Sequence, residues 1–185
     1  MALTPSKMVA LGSKAPNFSL PDTVSDKTIS YADAKKPRGL VVMFICNHCP
    51  YVKHVQTELV KVANDYQEKG IGFVAISSND ANTHPEDAPA KMKEEATKHN
   101  YPFPYLYDET QEIAKKYQAA CTPDFFVYDK NDELHYRGQL DESRPNNNKP
   151  LDGADLRAAL DNLLADNPPL DHQTPSIGCN IKWKN

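Results

Sequence analysis

The chain has 185 residues, with 21 Lys and Arg against 25 Asp and Glu, which gives a formal net charge of −4 when the histidines are neutral. This length suits one domain with a sizeable core, and the slightly acidic balance excludes the basic surfaces of proteins that bind nucleic acid or anionic membranes. The longest apolar stretch, residues 39–46, is too short to span a bilayer.

The first half of the chain predicts an arm, a strand and a long amphipathic helix. Residues 1–15 are expected to form the arm, and residues 15–22 predict a short edge strand ended by a turn. The unbroken apolar run at residues 39–45 predicts a strand that is buried on both faces. After Pro50, apolar residues spaced by three and four predict one helix face, which Gly70 ends. These apolar residues are Val52, Val55, Leu59, Val62 and Tyr66.

The second half predicts alternating strands and helices, followed by a hairpin and a closing helix. The Pro-rich tail that starts at Asn167 is expected to pack loosely over the surface. This order predicts a mixed α/β sheet that helices cover on both faces. The predicted elements are a strand at 71–77, a polar loop at 79–90, helices at 90–99 and 110–119, a strand at 105–107, a hairpin of strands 125–128 and 133–137, and a helix around 156–164.

Cys46 and Cys49 form a CxxC motif between the predicted buried strand and the helix that begins at Pro50. Unpaired backbone N–H groups at a helix start favour an anion, so we expect the first sulfur, that of Cys46, to have a lowered pKa. Cys46 is accordingly assigned as the nucleophile and Cys49 as its resolving partner, the alternative being two buried structural thiols. The motif therefore predicts redox chemistry.

His48 lies between the two cysteines. A protonated imidazole there would favour a thiolate on Cys46 and stabilise the reduced form, whereas a solvent-facing imidazole would have little influence. A metal site is a further alternative, because Cys46, Cys49, Cys121 and a histidine are suitable ligands for zinc or copper. No metal ligand is assigned.

The Cys-x-x-Cys-Pro motif after the first core strand, with Thr122-Pro123 before the predicted hairpin, resembles the thioredoxin superfamily over roughly residues 12–165. Residues 15–18 and the insertion after Ser77 resemble its peroxiredoxin-related branch, which is the alkyl hydroperoxide reductase/thiol-specific antioxidant group together with the TlpA-like thioredoxins.

Two further segments, residues 141–145 and 175–183, resemble a bacterial "thioredoxin family protein" subgroup. The resemblance implies a thioredoxin fold with a central mixed β-sheet flanked by helices, an N-terminal strand extension and an insertion after the second core strand. We expect one domain over residues 1–185, with a C-terminal tail at 166–185.

The resemblance implies that Thr122-Pro123 is a cis-proline loop that faces the disulfide, offers backbone groups to a substrate and keeps metals from the thiolates. The alternative is an ordinary trans turn. Peroxiredoxins carry a Pro-x-x-x-Thr-x-x-Cys motif, and here Met43 and Gly39 occupy the offsets that this motif requires before Cys46. Peroxidase chemistry is therefore an alternative and not the first prediction.

Four residues are possible auxiliaries of the site. Cys121 is either a third redox thiol, a ligand or a small buried apolar residue. Asp124 would shuttle a proton for Cys49 or serve as a strand-edge or capping residue. Arg144 would steady an anion or remain a solvated loop residue, and Cys179 would resolve a mixed disulfide or stay an unpaired thiol.

The predicted function is that of a thiol–disulfide oxidoreductase acting on protein or small-molecule thiols and disulfides, with electrons from another dithiol and no organic cofactor. The alternatives are a peroxiredoxin-like peroxidase and a metal-binding or metal-delivery module. We expect no nucleic-acid or membrane partner. The first seven residues lack a secretory signal pattern, so a cytoplasmic location is predicted, and a periplasmic one stays open if a signal has been removed.

Overall fold

The computed structural model describes residues 3–184, and the predicted arm and tail also include residues 1, 2 and 185, which lie outside the described residues. The strands are β1 (Leu3–Pro5), β2 (Ser19–Pro21), β3 (Thr28–Ser30), β4 (Gly39–Phe44), β5 (Ile71–Ser77), β6 (Tyr105–Tyr107), β7 (Cys121–Thr122), β8 (Asp124–Asp129), β9 (Leu134–Gly138) and β10 (Ile177–Asn180). The helices are α1 (Tyr31–Ala34), α2 (Pro50–Gln67), α3 (Pro89–Lys98), α4 (Glu112–Tyr117) and α5 (Ala154–Leu164), with a 3₁₀ helix at Pro85–Asp87.

The central sheet is mixed. Strand β8 pairs antiparallel with both β4 and β9, and β5 pairs parallel with β6. The two parts meet where β4 and β5 lie side by side, and the N–H of Ile45 donates to the carbonyl of Ile76 at 3.1 Å. This arrangement, with helices on both faces, confirms the predicted thioredoxin fold.

Strand β4 is buried along its whole length because both faces of the sheet are covered. Val41 and Met43 pack into the apolar cluster that contains α2 and α5, whereas Val42 and Phe44 pack into the cluster that contains α4. A strand covered on both sides has no polar face, which explains the unbroken apolar run in the sequence.

Helix α2 follows the redox motif directly. Cys49 is its N-cap residue and Pro50 its first residue. A backbone N–H at this position would have no hydrogen-bond partner within the helix, so its absence in proline breaks no hydrogen bond. All five residues of the predicted apolar face are buried, so that prediction is confirmed. The helix ends at Gln67, and Gly70 adopts a positive φ of 87° in the turn before β5.

The end of the chain forms β10, which pairs antiparallel with β1 on one side and with β7 on the other. The prediction of a loosely packed tail is therefore wrong for this segment, where Ser176, Cys179 and Ile181 are all buried. The close approach of β10 to β7 depends on Gly178, because a Cβ atom there would lie 1.9 Å from the carbonyl oxygen of Thr122. This part of the tail therefore packs beside the CxxC motif.

Other small elements also differ from the predictions. The sequence pattern did not reveal β3 and α1, which are only three and four residues long. The polar loop after β5 contains the 3₁₀ helix, which carries Asp87 into the interior. Within residues 3–184, no helix combines the length and the apolar character that crossing a bilayer requires.

Candidate active site

The CxxC motif lies between the end of β4 and the start of α2, and none of the four cysteines of the chain forms a disulfide bond in this structure. The Thr122-Pro123 peptide bond is cis, as predicted, and its loop faces the motif. The Cys46 Sγ lies 3.3 Å from the Thr122 hydroxyl, and the Cys49 thiol lies 3.3 Å from the Thr122 carbonyl. The structure therefore brings together both cysteines and the cis-proline loop.

The two sulfurs differ in acidity, and the order is the reverse of the predicted one. A hydrogen bond to Cys49, burial and the charge of Asp87 raise the pKa of Cys46. A hydrogen bond from Cys46 lowers the pKa of Cys49 to about 5, although burial opposes this. The expected low pKa at Cys46 is thus wrong for the reduced site, because the proton of the pair stays on Cys46.

The reason lies in what each sulfur faces. Cys49 is the residue at the helix start, and its sulfur accepts the backbone N–H of Val52 from the first turn of α2. The Sγ atom of Cys179 lies 2.8 Å from the Cys49 Sγ, and the hydrogen bond between the two thiols lowers the pKa of Cys49 further. Cys46, three residues earlier, lies beside the carboxylate of Asp87. Hydrogen bonds from Cys46, Cys179 and Val52 favour the anion of Cys49, whereas at Cys46 the bond with the Thr122 hydroxyl is outweighed by the bond to Cys49, burial and the charge of Asp87.

Asp87 organises the residues between the two cysteines and was not recognised in the sequence. Its side chain is fully buried and accepts the backbone N–H of Asn47 at 2.8 Å and that of His48 at 3.2 Å. It also pairs with the His48 Nδ1 at 2.6 Å and accepts the Asn79 amide at 2.8 Å. Burial raises the pKa of Asp87, but the bonds from His48 and Asn79 outweigh it and the net shift is downward. A carboxylate 38 positions after the motif thus fixes the orientation of His48.

The same residues test the metal alternative. Ligand atoms of Cys46, His48 and Asp87 lie within 4.8 Å of one another, a grouping that could surround a metal ion. Both carboxylate oxygens of Asp87, however, already accept two hydrogen bonds each from Asn47, His48 and Asn79. This saturation suits a hydrogen-bonded anchor better than a metal ligand.

His48 borders solvent through a cleft of about 650 Å³ between the motif and α3. Its ring stacks on that of His84, with the ring centres 4.7 Å apart. The other walls of the cleft carry charges of both signs. They are Lys53, Glu86, Lys91, Glu94, Glu95 and Lys98. The cleft therefore reaches Asn47 and His48, the two residues between the cysteines.

The remaining predicted auxiliaries are less directly connected to the motif. The sulfur of Cys121 is buried and lies 3.8 Å from the carbonyl of Pro123, and burial raises its pKa. Asp124 is fully buried, which raises the pKa of its carboxyl group. Arg144 donates to the carbonyls of Asp141 and Ser143, both at 2.7 Å, within its own loop. Their functional roles stay predictions.

The sequence and the fold are similar to those of known proteins. The family model described as "AhpC/TSA family" matches residues 11–137. A solved structure of an uncharacterized conserved protein from Geobacillus kaustophilus is 56% identical, with a TM-score of 0.98 over 100% of this chain and 97% of that one. No curated protein gives a significant match.

Two more distant structures share the fold. The thioredoxin domain of a thiol-disulfide oxidoreductase from Bacteroides vulgatus is 17% identical, with a TM-score of 0.62 over 82% of this chain and 99% of that one. Peroxidoxin BcpB from Mycobacterium tuberculosis is also 17% identical, with a TM-score of 0.63 over 84% and 96%. Since the family model spans most of the chain, the protein belongs to the AhpC/TSA family, whose members are thiol-dependent redox enzymes.

Proposed function

We propose that the protein is a thiol–disulfide oxidoreductase in which Cys46 and Cys49 form the exchanging dithiol. The observation that carries this proposal is geometric: both sulfurs lie against the cis Thr122-Pro123 loop, with the Cys46 Sγ 3.3 Å from the Thr122 hydroxyl and the Cys49 Sγ 3.3 Å from the Thr122 carbonyl. The two sulfurs also share one proton, because the pKa of Cys46 is raised and that of Cys49 is lowered to about 5.

In the first step Cys46 attacks one sulfur of a substrate disulfide while Cys49 takes up the proton of Cys46. A mixed disulfide forms, and the substrate's other sulfur leaves as a thiolate. In the second step Cys49 gives up its proton and attacks the Cys46 sulfur, which releases the second substrate thiol and closes the Cys46–Cys49 bond. The substrate gains two electrons, and another dithiol restores the enzyme.

His48 is a positioning residue in this scheme. Its Nδ1 is held by the Asp87 carboxylate at 2.6 Å, so its ring orientation is fixed at the mouth of the cleft. Because Asp87 also accepts the N–H of Asn47, one carboxylate holds the whole segment between the cysteines. A constrained segment keeps the two sulfurs at a constant separation, which favours ring closure over release of a mixed disulfide.

Peroxidase activity is the second candidate, and membership of the AhpC/TSA family favours it. In that case a cysteine would become a sulfenic acid and a second thiol would resolve it with loss of water. The metal module is the third candidate and is supported less, since Asp87 is saturated with hydrogen bonds.

The test compares reduction of hydroxyethyl disulfide, reduction of insulin and consumption of hydrogen peroxide, each driven by a dithiol. Disulfide reduction is expected in the wild type and is expected to disappear in Cys46→Ser. Cys121→Ser is the matched control, because Cys121 is buried nearby and its sulfur contacts the Pro123 carbonyl. Its activity should equal that of the wild type.

Two results would decide against the proposal. Peroxide turnover that exceeds disulfide exchange and requires Cys46 would establish the peroxidase. Stoichiometric metal in protein purified without chelator, lost in Cys46→Ser, would establish the metal module.

A further inference from the structure

Strand β10 holds Cys179 in a fixed place beside the motif. In the antiparallel pairing with β7, Cys179 lies opposite Thr122 and Asn180 lies opposite Cys121. The N–H of Ile181 donates to the carbonyl of Ala120 at 3.1 Å and extends this ladder. On the other side β1 pairs with β10, so Cys179 belongs to a central strand of a three-stranded sheet.

The position brings a third sulfur to the dithiol. The Sγ atoms of Cys49 and Cys179 are 2.8 Å apart, and the two residues are 0% and 4% exposed. A disulfide bond is about 2.05 Å long, so the two atoms need to close by less than about 1 Å. Cys121 offers an internal comparison, because its described sulfur contact is to the Pro123 carbonyl at 3.8 Å. Of these two further cysteines, Cys179 is the one poised for exchange.

We propose that Cys179 is a third redox thiol, which receives the disulfide of the motif and stores it as a Cys49–Cys179 bond. The inference rests on the proposed function, since that function supplies the Cys46–Cys49 disulfide. The Cys179 thiolate attacks the Cys49 sulfur, the Cys49–Cys179 bond forms, and the Cys46–Cys49 bond breaks. The electron pair leaves on Cys46, which takes up the proton that Cys179 gave up. One disulfide and one thiol are present before and after, so no external oxidant or reductant is needed.

The electrostatics of the pair change in the direction that this exchange requires. In the reduced protein, burial and the hydrogen bond to Cys49 raise the pKa of Cys179 to about 12. Once Cys49 is part of a disulfide, its negative charge is gone, and Cys179 ionises more easily. Oxidation of the motif therefore makes Cys179 easier to ionise in the same state in which the Cys46–Cys49 bond exists for it to attack. After the exchange Cys46 is again a thiol, and the disulfide is retained between Cys49 and Cys179.

The experiment identifies which bond the oxidised full-length protein contains. The protein is oxidised with diamide, free thiols are blocked with N-ethylmaleimide at acidic pH, and tryptic peptides are analysed by mass spectrometry. Trypsin separates the motif in peptide 39–53 from Cys121 in peptide 117–130 and from Cys179 in peptide 158–182. The wild type is expected to yield peptide 39–53 joined to peptide 158–182, with the blocking group on Cys46.

Variants make the assignment specific. Cys46→Ser should retain the joined peptides, because the Cys49–Cys179 bond does not need Cys46. Cys179→Ser should lose them and keep the Cys46–Cys49 bond inside peptide 39–53. Cys121→Ser should give the wild-type pattern.

The outcomes separate this inference from the proposed function. If the wild type gives no joined peptides, or if they form only in Cys46→Ser, the inference is overturned. If Cys179→Ser closes no Cys46–Cys49 bond while its circular dichroism matches the wild type, the proposed dithiol function fails as well. The wild-type measurement needs no substitution, so misfolding of a variant does not obscure it.

Discussion

The two cysteines of one motif lie in opposite surroundings. On the sulfur side, which is made up of Cys49, Cys179 and the Thr122 carbonyl, the hydrogen bonds of Cys49 with Cys46 and Cys179 lower the pKa of Cys49. The carboxylate side, made up of Asp87 with its partners His48 and Asn79, places a negative charge near Cys46. Four residues of sequence thus contain an acidic and a non-acidic thiol. The difference shows that residues distant in the chain, as well as the helix start, decide which sulfur ionises.

The largest expected effect is on the ionisation of the Cys49 thiol, on the sulfur side. Thiolate absorbance followed against pH should reveal a group in the wild type with a pKa of about 5, and Cys49→Ser should lack it. In Cys46→Ala the low-pH thiolate should persist with a raised pKa, because the strongest hydrogen-bond donor to Cys49 is gone. Cys121→Ser should match the wild type. A low-pH thiolate that survives in Cys49→Ser and vanishes in Cys46→Ala would reverse the comparison.

The same ionisation predicts a pH-dependent stability. Between pH 5 and the ordinary cysteine value of 9.0, the folded protein holds Cys49 as a thiolate, whereas the unfolded chain keeps it protonated. The unfolded state therefore binds one more proton, so this contribution is present at high pH and is lost as the pH falls through 5. Cys46, with its raised pKa, is protonated in both states across this window.

Urea unfolding under reducing conditions measures this contribution. Relative to Cys49→Ser, the wild type should lose about 1.4 kcal/mol of unfolding free energy for each pH unit of descent within the window. Parallel stability curves for the two proteins would show that Cys49 is not a thiolate in the folded state.

A smaller effect is expected on the carboxylate side. Asp87→Asn replaces an acceptor by an amide that cannot serve both His48 and Asn79, so buried donors lose their partner. The expected cost is about 1–3 kcal/mol of unfolding free energy, measured by urea denaturation. Glu86→Gln is the control, because this exposed neighbour uses only its backbone carbonyl, which accepts from Asn47. Equal losses of unfolding free energy in the two variants would show that Asp87 does not anchor the segment between the cysteines.

The smallest effect is expected where the two sides meet. Thr122→Val removes the hydroxyl that lies 3.3 Å from the Cys46 sulfur and lowers its pKa, but it keeps the backbone carbonyl that faces Cys49. Iodoacetamide labelling of Cys46 should slow by about twofold, corresponding to about 0.5 kcal/mol for one weak hydrogen bond. Thr23→Val, at another buried threonine, should leave labelling unchanged. Equal slowing in both variants would contradict a direct contact.

The fold could be predicted because its main elements carry local signals. The apolar run before Cys46 and the spacing of apolar residues in α2 are determined by burial within each element, so the sequence alone reveals them. Strand β10 has no such signal. It has four residues next to Pro175, and its conformation depends on pairing with β1 and β7, which are far away in the chain.

The site could be predicted only in part for the same reason. Cys46, Cys49 and Thr122-Pro123 belong to short motifs, and the structure brings them together. Asp87 follows Glu86 in a polar loop, and nothing in the sequence distinguishes the buried carboxylate from the exposed one. The acidity of the two sulfurs depends on contacts with residues as distant as Cys179, so the motif alone could not assign it.

The pairing of β10 with β7 also limits how a polypeptide can bind beside the motif. The backbone edge at Cys121 and Thr122, where an extended peptide could add itself as a neighbouring strand, is already occupied by β10. A peptide that paired with this edge would first have to displace β10 and separate it from β1. Strand addition at β7 is therefore blocked as long as β10 stays in place.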